Sequence, residues 1–313
     1  LSASTAGKVA LGADYNFTNL GLADQSNGVG TLTLPATASI SSSNAATDAI
    51  TLSGADISID TASASVNASG AGGGVVIASS QASRPMMLGD GTAVAGISLS
   101  NGELDRITTT GTGRITFGDT TQTGDITFFK VTPATTSGAA IFAIQDTANA
   151  TAKIILDDDG SVTPGTALDG GSSVISLTAG LGGITAATAT NSTAEIATTG
   201  ATVTMNTGGP IGTSSNRIQF ANNTNPAQQN VVIGTTAPRP SSVFLNGLGA
   251  LTLGAITTTG GEVNVTAAGT LTAGGTITTT AAVNSGTASG NVIFAASGTA
   301  AVNVSGAIDT TGA

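Results

Sequence analysis

The sequence predicts an all-β protein, a β-solenoid with about three short strands per coil. Three observations predict it. First, apolar residues recur two apart with a polar residue between them, as in Ile97-Ser98-Leu99, Ile115-Thr116-Phe117 and Ile126-Thr127-Phe128. That is the period of a strand with one face buried. Second, strand centres recur roughly every 8–12 residues, and most corners are one or two small residues. Tight hairpin signals are few (Asp90-Gly91, Asn101-Gly102, Asp159-Gly160, Asp169-Gly170, Asn246-Gly247), which disfavours the antiparallel sandwich or barrel that the same spacing allows. Third, the 313 residues include 44 Gly but only 8 Phe, one Tyr and no Trp, too few bulky side chains for two thick facing sheets. Three strands per coil implies about 20–25 residues per coil and about 12–14 coils. At about 4.8 Å per coil such a rod is roughly 60 Å long.

Residues 1–30 are the least regular. They hold Tyr15 and Phe17 and read as a capping or junction segment, the role of terminal units in solenoids. The other reading is an aromatic contact for a neighbouring molecule. Residues 31–313 read as one continuous β-solenoid, a segment of a longer or processed chain. Its predicted strands begin at 31–34, 49–52, 56–59, 65–67, 75–78 and 86–88, followed by the three runs named above. The pairs Phe128-Phe129, Ile141 to Ile144 and Ile154 to Leu156 predict the bulkiest core. Further strands are predicted at 174–177, 184–185, 195–197, 202–205, 217–220, 231–233, 243–245 and 251–253. After Gly260 the alternation is plain, with Val263/Val265, Ile293 and Val302/Val304 set among Asn, Thr and Ala.

Charged residues make up only 8% of the chain, and the net charge is −10 with a pI near 4.1. Eight thinly spread basic residues give no footprint for nucleic acid and no polybasic segment for a membrane surface. Cys and His are absent, which removes disulfides, thiol chemistry and the commonest general base and transition-metal ligand. No apolar run reaches the length of a membrane helix, so no transmembrane segment is predicted.

Asp157, Asp158 and Asp159, before Gly160, form the one acidic cluster. Three carboxylates in a row offer oxygen ligands to Ca2+. The spacing matches neither the EF-hand loop nor the Gly-Gly-x-Gly-x-Asp repeat, and the alternative is an exposed turn. Asp119 and Asp125 flank a second turn that offers oxygen ligands or simply corner residues. No other cofactor is implied. Glu103 and Asp105 would share a face of a strand, near Arg106, and so place two carboxylates together as glycan-cleaving enzymes do; the alternative is a solvated turn with a local ion pair. Asn-x-Ser/Thr sites occur at Asn16, Asn67, Asn149, Asn191, Asn222, Asn264 and Asn303.

Two blocks resemble a known family. The first runs Ser83 to Gly89, Ile97 to Ile107 and Gly113 to Gly118 (SRPMMLG, ISLSNGELDRI, GRITFG). The second runs Gly212 to Ile218, Val243 to Gly247 and Leu251 to Gly254. Both resemble repeats of giant bacterial surface proteins related to filamentous haemagglutinin. The resemblance implies a right-handed parallel β-helix in an extracellular stalk, adhesin or sheath. The asparagine-proline motif of the export domain of those proteins is absent; Asn225-Pro226 lies in a different context. The expectation is therefore a non-enzymatic, bacterial, extracellular rod, fibre or surface layer that associates with itself. The alternatives are an adhesin stalk with a lateral face for glycans or cells, and a polysaccharide lyase or hydrolase.

Overall fold

The computed structural model describes residues 2–13, 29–132, 138–158, 165–222, 230–279 and 290–310. The chain forms two compact units, Leu1–Asp146 and Thr147–Ala313. Every strand pairing in each unit given below is parallel and joins segments distant in sequence. Each unit is thus a parallel β-helix, with the alternating apolar residues of its strands turned inward.

In the first unit the strands fall into three stacks. One contains Ser2–Thr5, Ser39–Ser42, Ser65–Ala68 and Ile107–Thr109. A second contains Val9–Gly12, Ile50–Gly54, Val75–Ser79, Arg114–Gly118 and Ala140–Ile144. The third contains Thr31–Leu34 beside Asp56–Ile59, then Ile97–Leu99, Met86–Gly89 and Ile126–Phe129. In-register pairing piles like on like. Ile50, Val75, Ile115 and Ile141 make one interior column, and Leu52, Ile77, Phe117 and Ala143 the next, all fully buried. Phe117 meets Phe128 edge to face at 5.9 Å, joining two stacks across the core. Phe142 and Phe129 of the predicted bulky core point outward instead. Arg114 lies over the Phe142 ring at 4.5 Å and Lys130 over the Phe129 ring at 4.9 Å.

The third stack departs from chain order. Met86–Gly89 precedes Ile97–Leu99 in sequence yet lies beyond it in the stack, because Met86 pairs with both Ile97 and Ile126. The chain steps one level ahead, returns through residues 90–96, and lays Ile97–Leu99 into the gap beside Asp56–Ile59, where the Ser98 N–H donates to Asp56 Oδ1. Asp90 holds the return by accepting from Asn101 N at 2.8 Å and from Asn101 Nδ2 at 2.9 Å. A one-turn helix, Asn101–Leu104, follows. Gly89, at φ +99°, closes the advanced strand; a Cβ there would stand 1.8 Å from the Phe129 carbonyl oxygen.

The stretch 1–30, predicted to be irregular, contributes the strands Ser2–Thr5 and Val9–Gly12; Tyr15, Phe17 and Asn16 lie outside the described residues.

The second unit also has three stacks at its start. Ile154–Asp157 pairs with Ile184–Ala186, and Ile211 bridges Ile184 to Val243. Leu168–Asp169, Ile196–Ala197, Ile218–Phe220, Val243–Gly247, Val263–Ala267 and Val292–Ala296 follow one another in the next. The third runs Ile175–Ala179, Thr202–Thr207, Asn230–Ile233, Leu251–Thr257, Leu271–Ala273 and Val302–Val304. At Val243–Gly247 two stacks merge, since Val243 takes Ile211 while Leu245 to Gly247 take Ile218–Phe220. The far half of Leu251–Thr257 carries a further short column of Ile277–Thr278 and Ile308–Asp309.

Stacked partners are separated by about 20 residues between Leu253 and Ala273 but by about 40 between Val66 and Ile107, a wider range than the predicted coil of about 20–25. The step from Val66 to Ile107 holds the return loop and the helix, while those from Ser2 to Ser39 and from Val9 to Ile50 are long without either.

Candidate functional site

The acidic run does not form an exposed turn throughout. Asp157 closes the strand Ile154–Asp157 half-buried, Asp158 is fully buried, and Asp159 lies outside the described residues. Asp158 turns inward because a donor meets each of its oxygens. Thr188 Oγ1 donates to Oδ1 at 2.6 Å, and Asn191 Nδ2 donates to Oδ2 at 2.6 Å. Among the described residues, no three His, Cys, Asp or Glu side chains form a group able to hold a metal ion.

Asp158 is one end of a polar seam that crosses three levels of the second unit. Asn191 links it to the next level: its N–H donates to Gln219 Oε1, and its carbonyl accepts from Gln219 Nε2, both at 2.7 Å. The Gln219 N–H donates in turn to Glu195 Oε2 at 2.5 Å. Asp158, Glu195 and Gln219 all have zero exposure. Glu195 Oε1 is buried with no hydrogen-bond partner. The Glu195 carboxyl is pushed up to about 8, chiefly by burial and also by the charge of Asp158, with the Gln219 N–H pulling against both. Composition and spacing gave no sign of this seam, because its members are spread over residues 158 to 219. Glu195 itself gave no signal, because an acid beside core-facing Ile196 is what strand alternation places on the outward face.

A surface groove of about 570 Å³ lies beside the seam, lined chiefly by Lys153, Ile155, Thr185, Thr213, Ser215 and Asn216. One wall is tied to the seam's loop. The Thr190 N–H and Oγ1 both donate to the Ser215 carbonyl, at 2.9 and 3.0 Å, and the Arg217 N–H donates to Thr190 Oγ1 at 3.0 Å. Arg217 then reaches outward along the stack. Its guanidinium donates to the carbonyls of Leu245 and Asn264, both at 3.1 Å, and to Asn264 Oδ1 at 3.0 Å.

Glu103 and Asp105 are not two carboxylates on one strand face, because residues 101–104 are helical. Glu103 closes a capping box with Ser100, accepting from its N–H at 2.9 Å and its Oγ at 2.8 Å, and its other oxygen accepts from Ile59 N at 2.9 Å. Asp105 pairs with Arg106 at 3.2 Å on the surface. Asp119 caps its own turn by accepting from Thr121 N and Oγ1.

The last described level of the second unit has a different character. Val302, Val304 and Ile308 continue the interior columns of Leu271, Ala273 and Ile277, which are fully buried. Yet they are 40%, 45% and 46% exposed, and among the described residues the strands Val302–Val304 and Ile308–Asp309 are paired along one edge each.

Fold and sites together define the class as a parallel β-helix protein with a buried acidic seam and a lateral polar groove. No protein-family model, no curated protein and no solved structure matches this chain.

Proposed function

We propose that this chain is a non-enzymatic structural protein, an extracellular bacterial β-solenoid that builds a rod, fibre or surface layer by associating with itself. The observation that carries the reading is the parallel, in-register stacking of buried apolar columns, such as Ile50, Val75, Ile115 and Ile141, a repetitive scaffold of the kind that builds rods. The resemblance of the SRPMMLG and GELDRI blocks to haemagglutinin-like repeats supports the extracellular setting.

Sedimentation velocity over a hundredfold range of concentration, with electron microscopy, tests the reading. Growth into filaments or layers as the concentration rises, with the circular dichroism spectrum kept, is the expected outcome. A monomer at every concentration overturns self-association.

The groove favours a second reading, an adhesin stalk with a lateral glycan-binding face. Its Lys153, Thr185, Thr213, Ser215 and Asn216 supply the hydroxyl, amide and ammonium groups that pair with sugar hydroxyls. Binding on a glycan array that Asn216→Ala removes would support it.

A further inference from the structure

The segment 187–195 is a strut with three attachments. Thr188 and Asn191 hold Asp158 on one level, Asn191 holds the side chain of Gln219 on the next, and Thr190 holds the groove wall at Ser215 and Arg217. Glu195 ends the strut, bonded through Oε2 to the Gln219 N–H. A buried carboxylate needs several donors to remain ionised. Asp158 has two, a hydroxyl and an amide. Glu195 has one, and its second oxygen is enclosed without a donor.

The charged residues on the strands packed around Glu195 leave it without a cation. Asp158 acts on it as a like charge. Asp169 accepts from the Gly171 N–H at 2.8 Å, and Arg217 points outward to Leu245 and Asn264. Asp157 closes its strand half-buried, Lys153 lines the groove, and residues 187–194 carry no charge.

We propose that the seam of Asp158, Thr188, Asn191, Glu195 and Gln219 is a proton-held latch on the lateral groove. Glu195 sits as the neutral acid. When it ionises, the seam encloses a second carboxylate in the field of Asp158 with no cation to balance it. The least costly relief is to free the strut, and Thr190 passes that movement to Ser215 and Arg217. The groove wall is firm while the proton is bound and loosens when it leaves.

The chain has only three glutamates, Glu103, Glu195 and Glu262. Glutamate-selective 13C labelling of the full chain therefore yields three side-chain carboxyl resonances. The one belonging to Glu195, assigned by through-bond correlation to its backbone and by its loss in Glu195→Gln, is expected to titrate near pH 8. In the same range, the Thr190 and Arg217 amides should lose at least tenfold in hydrogen-exchange protection after correction for intrinsic base catalysis, and Glu195→Gln should abolish that loss. A Glu195 resonance that titrates in the ordinary carboxylate range overturns the latch. So does an equal loss of protection in wild type and Glu195→Gln. If Glu195→Gln does not fold, the wild-type carboxyl titration decides alone.

Discussion

The Phe117 level of the first unit and the Val304 level of the second are written in the same alternating pattern yet meet opposite fates. Ile115 and Phe117 are fully buried, with strands Val75–Ser79 and Ala140–Ile144 on either side. Among the described residues, Val302 and Val304 have a paired strand on one side only, and they stand 40% and 45% exposed. In a solenoid, alternation chooses which face of a strand turns inward, but the adjoining levels supply the burial. An apolar residue is therefore worth what its neighbours along the stack make it worth.

The sharpest way to break the contrast is at its corners. Gly89→Ala would place a methyl 1.8 Å from the Phe129 carbonyl at a φ only glycine favours, and Gly261→Ala would place one 1.4 Å from the Ser241 carbonyl. Each is expected to cost at least about 4 kcal/mol or to prevent folding, read from soluble expression and urea denaturation. Gly298→Ala, at φ +65° with no atom within 4 Å, is the control and should cost about 1 kcal/mol.

Next in size are the side chains themselves. Phe117→Ala should lower stability by about 3–5 kcal/mol, because it removes a fully buried ring and its edge-to-face contact with Phe128. Val304→Ala should cost under about 1 kcal/mol in dilute protein, since so little of its burial is present to lose. Equal losses in chemical denaturation would contradict the neighbour-dependent account.

The seam gives an effect of comparable size that depends on pH. The Glu195 carboxyl loses its proton near 4.5 in the unfolded chain but keeps it to about 8 when folded. Between these values the folded state holds more protons, so stability falls as pH rises from 4.5 to 8 and levels off above. The full loss is on the order of 5 kcal/mol. Urea midpoints at pH 5 and pH 9 should differ in wild type and differ far less in Glu195→Gln.

The smallest effect is at the surface. Arg217→Ala removes three hydrogen bonds that tie three levels together, and a loss of about 1 kcal/mol in thermal or urea unfolding is expected.

Much of the strand map was legible in the residues. Asp56–Ile59, Ile97–Leu99 and Thr31–Leu34 lie at the predicted positions, because a strand with one buried face needs only its own alternation to be seen. Ser39–Ser42 and Leu168–Asp169 escaped notice. Each offers one bulky apolar residue, Ile40 or Leu168, so no period can be read. The carboxylates were less legible. Three adjacent aspartates suggested a shared metal, yet Asp158 turns inward to Thr188 and Asn191, thirty residues away and more. Glu103 fitted a strand pattern, but Ser100 three residues before it made a capping box instead.

By itself the sequence determined the all-β class, the solenoid character and most strand positions, since these rest on local alternation and on small residues at corners. The tertiary structure alone decided the order of the stack, where Met86–Gly89 lies beyond Ile97–Leu99, and the seam in which Asn191 holds Asp158 and Gln219 while Gln219 holds Glu195. Both depend on which level lies against which. Parallel pairing sets that through contacts some 20 to 40 residues apart, and no local pattern encodes them.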